Sequence, residues 1–101
     1  MEYVRVPRSR LEEWLRILEE VEGAAARLAA RIGRVSVLLH GSYARGDFNL
    51  WSDVDLIIVS EVFRGIRPLD RYKLVQDVLP DKVEPIPMTP EELRRAVEKP
   101  A

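Results

Sequence analysis

The stretch GSYARGDFNLWSDVDLIIV, residues 41–59, decides how this sequence folds and where its function is to be sought. It combines a glycine turn, a cluster of polar side chains and two carboxylates that run directly into an apolar segment. The β-branched residues of that segment, up to Val59, favour a β-strand. We therefore expect a strand with chemically active side chains at its beginning.

Two carboxylates, Asp53 and Asp55, stand two residues apart at the start of this strand. Because side chains alternate between the two faces of a strand, both carboxylates are expected on the same face. Carboxylates this close repel each other, and a divalent cation between them relieves the repulsion. Magnesium is the expected ion, since it binds a few carboxylates together with water and phosphate oxygens. Zinc would prefer Cys and His ligands, which this stretch does not contain.

A second candidate feature is the turn that follows the apolar run at residues 35–39. The run ends at His40, Gly41 and Ser42, and the glycine lets the backbone approach a phosphate without a Cβ in the way. The Ser42 hydroxyl and neighbouring N–H groups are the expected phosphate donors. His40 is interpreted as a structural or backbone-orienting residue, with a catalytic role as the alternative.

Arg45 is the candidate for neutralising charge beside this phosphate site. A guanidinium group can bind a phosphate through two parallel hydrogen bonds, which fixes both charge and orientation. The alternative for Arg45 is a surface salt bridge to Asp47.

The spacing of these residues resembles a known signature. Gly41-Ser42, ten intervening residues and then Asp53-Val54-Asp55 look like the signature of the DNA polymerase β-like nucleotidyltransferase superfamily. The branch that the sequence resembles most is the minimal nucleotidyltransferases, small stand-alone domains often encoded beside a HEPN-type helical partner. The resemblance extends over about residues 11–97, and its specific part is the Gly-Ser and D-x-D portion.

The resemblance also implies a third carboxylate on the strand that adjoins the D-x-D strand. Glu84 is the matching position, and here the sequence departs from the family, which usually has Asp. By its own chemistry, a carboxylate within an extended apolar segment is costly to bury unless it faces a cleft or a cation. A salt bridge at the rim is the alternative. With Glu84 included, the resemblance implies that Asp53, Asp55 and Glu84 are catalytic and bind two magnesium ions.

The activity that the resemblance implies is nucleotidyl transfer. Gly41, Ser42 and Arg45 would hold the triphosphate of ATP, and AMP would pass to a hydroxyl acceptor, with release of pyrophosphate. The resemblance suggests that the acceptor lies on a HEPN-type helical partner protein and that this chain is the antitoxin of a toxin–antitoxin pair. The alternative is a catalytically degenerate binding module that caps a helical partner without turnover.

The order of elements predicts an α/β (α+β) domain with a small mixed β-sheet and helices packed on it. A helix of about six turns is expected from a Ser9–Glu12 capping box to Gly33, followed by a strand at 34–40 and the D-x-D strand at 53–60. Next we expect a helix at 69–79, capped by Asp70, and an edge strand at 82–88 that contains Pro85 and Pro87. A Thr89–Glu92 capping box is expected to open a terminal helix. The strand at 34–40 runs apolar and is expected to be covered on both faces. Phe63 and Ile66 are expected to form a satellite of the core.

Composition narrows the class of protein further. At 101 residues, the chain is expected to be a single nucleotidyltransferase-like domain over 1–101. Its net charge of −1, from 16 basic and 17 acidic residues, argues against a broad nucleic-acid surface and favours a nucleoside triphosphate or a protein as partner. It has no cysteine, and neither a membrane span nor a signal peptide is evident, so we expect a cytoplasmic protein.

Overall fold

A computed structural model describes residues 8–41 and 53–98 of the chain. This part forms three α-helices and three β-strands in the order α1 (Arg8–Ile32), β1 (Ser36–His40), β2 (Val54–Val59), α2 (Pro68–Val75), β3 (Val83–Met88) and α3 (Pro90–Glu98). Short 3₁₀ turns follow β2 and α2, at Glu61–Phe63 and Gln76–Val78. The predicted class, a small sheet with helices packed on it, is confirmed. No helix in this part is long and apolar enough to cross a membrane.

The described sheet has the order β1-β2-β3, with β2 in the centre. β1 pairs with β2 in antiparallel fashion, and β3 pairs with β2 in parallel, so the sheet is mixed. The prediction that 82–88 forms an edge strand is therefore confirmed. The prediction that 34–40 is covered on both faces is wrong, because β1 is the other edge of the described sheet and its residues alternate between exposed and half-buried.

One face of the sheet packs against helices and forms the core. Val54, Leu56 and Ile58 of β2 point to this face and are completely buried. They share one apolar cluster with residues of α1, α2 and β3: Ile17, Val21, Leu28, Val75 and Val83. Because side chains alternate, the intervening residues of β2, Asp55 and Ile57, point to the opposite face, where they are only half-buried. The carboxylate of interest therefore lies on the more open face.

Phe63 is a second correction to the sequence analysis. It is completely buried and belongs to the main apolar cluster, whereas a satellite position was expected. The 3₁₀ turn immediately after β2 carries Phe63 back under the sheet, held by Ser60, whose hydroxyl accepts a hydrogen bond from the Val62 N–H at 3.2 Å. Ile66, the other expected satellite residue, is half-buried.

The predicted end of α1 is confirmed, and its predicted cap is wrong. Gly33 adopts a left-handed φ of 83°, and its N–H donates to the Ala29 carbonyl at 3.0 Å, as expected of a glycine that stops a helix. Ser9, however, lies inside α1. Glu12 accepts a hydrogen bond from the Arg8 guanidinium at 3.3 Å, an i, i+4 pair on the helix surface.

The helix predicted at 69–79 begins earlier and ends earlier. Its N-cap is Arg67, which provides no side-chain hydrogen bond, and Pro68 occupies the first turn. A proline there has the required φ and needs no hydrogen-bond acceptor for its nitrogen, so it can start a helix without a polar cap. Asp70, predicted as the cap, instead lies within the first turn and pairs with Arg67 at 3.1 Å. After Val75 the chain tightens into the 3₁₀ turn.

The capping box at the start of α3 is confirmed and belongs to a larger network. The Glu92 N–H donates to Thr89 Oγ1 at 3.2 Å, and the Thr89 N–H donates to Glu92 Oε1 at 2.8 Å. Arg71 on α2, a buried residue, donates to the same Glu92 oxygen at 2.7 Å and to the Ile66 carbonyl at 2.7 Å. The hydrogen bond from the Thr89 N–H is the largest cause that lowers the pKa of Glu92 to about 2, and the hydrogen bond from Arg71 is the next. This network fixes α3 to α2 just beyond the end of β3.

Candidate active site

A row of three polar residues crosses the sheet at the end of β1. The register pairs His40 of β1 with Asp55 of β2, and pairs Asp55 with Glu84 of β3. Residues directly opposite on neighbouring strands carry their side chains on the same face. Asp55 therefore lies between His40 and Glu84, on the face opposite the core.

Gly41, the residue after β1, lies directly beneath the Asp55 carboxylate. A Cβ built on Gly41 would meet Asp55 Oδ2 at 2.7 Å and Asp55 Cγ at 3.6 Å. Gly41 also has a φ of 74°, a left-handed conformation that side chains other than glycine's rarely adopt. The site thus requires glycine for two separate reasons: the turn and the close approach of the carboxylate.

Asp53 lies just before β2 and is exposed. The strand pairing begins immediately after it, where the Val54 N–H donates to the Lys82 carbonyl at 2.9 Å. Among residues 8–41 and 53–98, no three or more His, Asp or Glu side chains are arranged so that they could hold a metal ion. The structure therefore brings Asp55 and Glu84 together by register, and the three-carboxylate site with Asp53 stays a prediction.

The pair that is brought together suits magnesium chemistry. Asp55 and Glu84 provide only oxygen ligands, on adjacent strands and on the same face. Magnesium needs just one or two protein carboxylates, because water and substrate phosphates complete its octahedral shell. Gly41 leaves open the space beside Asp55 Oδ2 that a Cβ would fill. These residues fit a magnesium ion that is shared with a bound phosphate.

Glu84 is placed to face solvent or a ligand. Its neighbours in β3, Val83 and Pro85, are buried on the core face, while Glu84 itself is exposed on the other face. This is the position that the sequence analysis required of it, since the carboxylate does not enter the core. Two further predicted site residues, Ser42 and Arg45, lie outside the described residues.

His40 is a neighbour of the site whose position the sequence analysis did not predict. It was interpreted mainly as structural, yet the register places it directly across from Asp55 and at the exposed end of β1. A usable signal was present. The apolar run at residues 35–39 ends immediately before His40, and antiparallel pairing of this strand with the D-x-D strand sets His40 opposite Asp55.

The fold and site together define a class of protein: an α+β domain with adjacent carboxylates on the open face of a mixed sheet, next to a glycine turn. Family comparison agrees with this class. The family model described as "Nucleotidyltransferase domain" matches residues 18–100, and the chain belongs to that family. The resemblance noted from the Gly-Ser and D-x-D residues is thereby confirmed at the level of the family.

The chain is also similar to one relative in sequence and to one solved structure in fold. Over 45 residues the chain is 40% identical to a Methanocaldococcus jannaschii protein named "Putative protein adenylyltransferase", a match that spans 45% of this chain and 30% of that protein. A solved structure from Sulfolobus solfataricus, described as "a putative nucleotidyltransferase", superposes with a TM-score of 0.82. It is 24% identical, and the match covers 92% of this chain and 85% of that one. This second likeness supports the fold.

Proposed function

We propose that this protein transfers AMP from ATP onto a hydroxyl group of a second protein. The observation that carries the proposal is the register that sets Asp55 opposite Glu84, with Gly41 beneath the Asp55 carboxylate. Family membership supports nucleotidyl transfer as the reaction class. The name of the M. jannaschii relative supports adenylyl as the group and protein as the acceptor.

In the proposed reaction, the acceptor oxygen forms a bond to the α-phosphorus of ATP. The bond from the α-phosphorus to the oxygen that bridges to the β-phosphorus breaks, pyrophosphate leaves, and the hydroxyl proton passes to solvent. Magnesium held by Asp55 and Glu84, with Asp53, would supply the positive charge that offsets charge on the phosphates. The protein's own contribution is to fix Asp55 and Glu84 before substrate arrives, because the β2–β3 pairing sets them opposite each other and Gly41 lies against the Asp55 carboxylate.

The acceptor is proposed to belong to a HEPN-type helical partner, with this chain as its antitoxin. Transfer requires the hydroxyl in line with the α-phosphorus, and a partner could present one where the exposed Glu84 lies beside Asp55. The small net charge of −1 favours a protein over bulk nucleic acid as the acceptor.

A second candidate function is a binding module that caps the partner without turnover. The observation that favours it is Glu84, whose additional methylene moves the carboxylate by about an ångström relative to the family's Asp, enough to weaken catalysis by misplacement. In this reading, association with the partner is retained and no group is transferred.

Intact-mass spectrometry of the partner distinguishes the two functions. The proposed HEPN-type partner is incubated with the chain, ATP and magnesium. Transfer predicts that the partner gains the mass of one or more adenylyl groups, that Asp55→Asn abolishes this gain and that Glu84→Gln reduces it strongly. Glu98→Gln, a matched change of an exposed carboxylate at the end of α3, should leave the gain intact. Association with no added mass would favour the binding module.

A further inference from the structure

An ion pair joins the long helix α1 to the end of the sheet that carries the candidate site. Lys82, the residue immediately before β3, places its Nζ 3.6 Å from Oε1 of Glu13, which lies in the N-terminal half of α1. Glu84 follows Lys82 by two residues. The pair therefore connects two elements that are distant in sequence, at the point where the strand with the Glu84 carboxylate begins.

This ion pair is better shielded from water than the other contact of the same carboxylate. The side chains of Lys82 and Glu13 are 30% and 18% exposed. Arg16, which donates to the other Glu13 oxygen at 3.1 Å, is 66% exposed. Solvent and salt weaken the attraction between charges less when both partners are partly buried. Lys82 is therefore the partner through which Glu13 can constrain the sheet.

The backbone of Lys82 is bonded directly to the strand that carries the two aspartates. Its carbonyl accepts a hydrogen bond from the Val54 N–H at 2.9 Å. Val54 is the residue between Asp53 and Asp55, so this bond fixes the backbone from which both carboxylates project. The ion pair and the hydrogen bond thus meet in one residue.

Lys82 needs such an anchor because it lies in a turn. The Val83 N–H donates to the Pro80 carbonyl at 3.0 Å, which closes the turn over residues 81 and 82, and Asp81 is exposed. Backbone hydrogen bonds at the end of a strand open more readily than those in its middle. A side-chain contact with α1 restricts the turn and so favours the closed form of the bond to Val54.

We propose that Glu13 and Lys82 are positioning residues for the carboxylates. Their ion pair holds the Lys82 carbonyl against the Val54 N–H and thereby sets the two aspartates relative to Glu84. The consequence for magnesium rests on the proposed transferase function, whereas the effect on the strand does not. Groups that orient metal ligands from outside the ligand shell typically contribute 10–100-fold to metal affinity or activity.

Hydrogen exchange of the metal-free protein, followed by NMR, tests the effect on the strand. The Val54 N–H is expected to exchange roughly two- to fivefold faster in Glu13→Gln and in Lys82→Met than in the wild type. The Ser60 N–H, which donates to the Met88 carbonyl at 3.1 Å at the other end of the same strand pair, should be unchanged and serves as the internal control.

Two further variants serve as controls. Arg16→Gln removes the exposed partner of Glu13 and should leave Val54 protected. Lys82→Arg keeps a cation opposite Glu13 and should exchange at close to the wild-type rate. If Lys82→Met fails to fold, Glu13→Gln carries the same test, because it removes the charge with almost no change of volume. Unchanged Val54 exchange in Glu13→Gln would overturn the proposal.

A magnesium titration of ATP binding, measured by calorimetry with the proteins fully folded, tests the effect on the site. Glu13→Gln is expected to need on the order of tenfold more magnesium for the same ATP affinity. Faster Val54 exchange with an unchanged magnesium requirement would overturn the positioning role. So would a defect in Lys82→Met that Glu13→Gln lacks, since Lys82 would then act on the phosphates itself. A wild-type protein that binds no ATP with magnesium would count against the proposed function, and the exchange rates would still decide whether the ion pair holds the strand.

Discussion

Gly41→Ala separates the geometry of the site from the stability of the fold. The added Cβ would lie 2.7 Å from Asp55 Oδ2, a separation that real Cβ atoms essentially never show. The obstacle is the end of a side chain, so the fold can accommodate the methyl group by turning the Asp55 carboxylate away. We therefore expect the variant to fold with its carboxylate displaced.

The magnitude follows from two contributions that can be separated. Left-handed backbone at an alanine costs about 1–2 kcal/mol, which for a domain of this size lowers the melting temperature by roughly 4–8 °C per kcal/mol. Displacement of a catalytic group by about 1 Å lowers the rate by on the order of a hundredfold. Gly41→Ala should therefore show a modest loss of stability together with a large loss of transfer.

Gly33→Ala is the matched control, because it has the cost of left-handed backbone without the displacement of Asp55. Gly33 also has a positive φ, 83°, and a Cβ there would meet nothing within 4 Å. Thermal melts should show similar losses for the two variants, whereas adenylyl transfer should fall only in Gly41→Ala. Equal transfer by the two variants would refute the claim that Gly41 positions Asp55.

Two further predictions concern the scaffold. Glu92→Gln should destabilise the fold at pH 7 by about 1–2 kcal/mol, a figure reduced from the full linkage value because the Glu92 side chain is 39% exposed. Since the pKa of Glu92 is lowered from 4.5 to about 2, its contribution is complete above about pH 4.5 and is lost as the pH falls toward 2. Urea unfolding at several pH values should therefore show the gap between wild type and Glu92→Gln closing in acid, and a gap independent of pH would contradict the assignment. Phe63→Ala should cost about 3–5 kcal/mol, because the ring is completely buried in the main cluster; a cost below about 1 kcal/mol in the same assay would show that Phe63 is peripheral after all.

The sequence predicted well those features that depend on neighbouring residues. The Gly33 stop, the Thr89–Glu92 capping box and the alternation of β2 each need only a few consecutive positions, and all three are confirmed. The Ser9–Glu12 box failed although it has the same local pattern, because Arg8 competes for Glu12 and the helix already includes Ser9. A local sequence pattern predicts a cap, but contacts with neighbouring residues determine whether that cap forms.

The features that the sequence did not predict depend on residues that are distant along the chain. The exposure of β1 depends on its being an edge of the described sheet, which apolar content alone does not reveal. The contact between Gly41 and Asp55 is set by the antiparallel register of β1 and β2. Glu84 was placed correctly beside Asp55 because the family resemblance supplied the strand order that local chemistry lacks.

Binding of ATP in the presence and absence of magnesium is the most direct test of the central claim, that Asp55 and Glu84 form a metal and nucleotide site above Gly41. Isothermal titration calorimetry of the wild-type protein should show binding with magnesium that is lost or greatly weakened when EDTA replaces the metal. Asp55→Asn should bind weakly under both conditions, and Glu98→Gln should bind like the wild type. Equal ATP affinity with and without magnesium, unchanged in Asp55→Asn, would contradict the account.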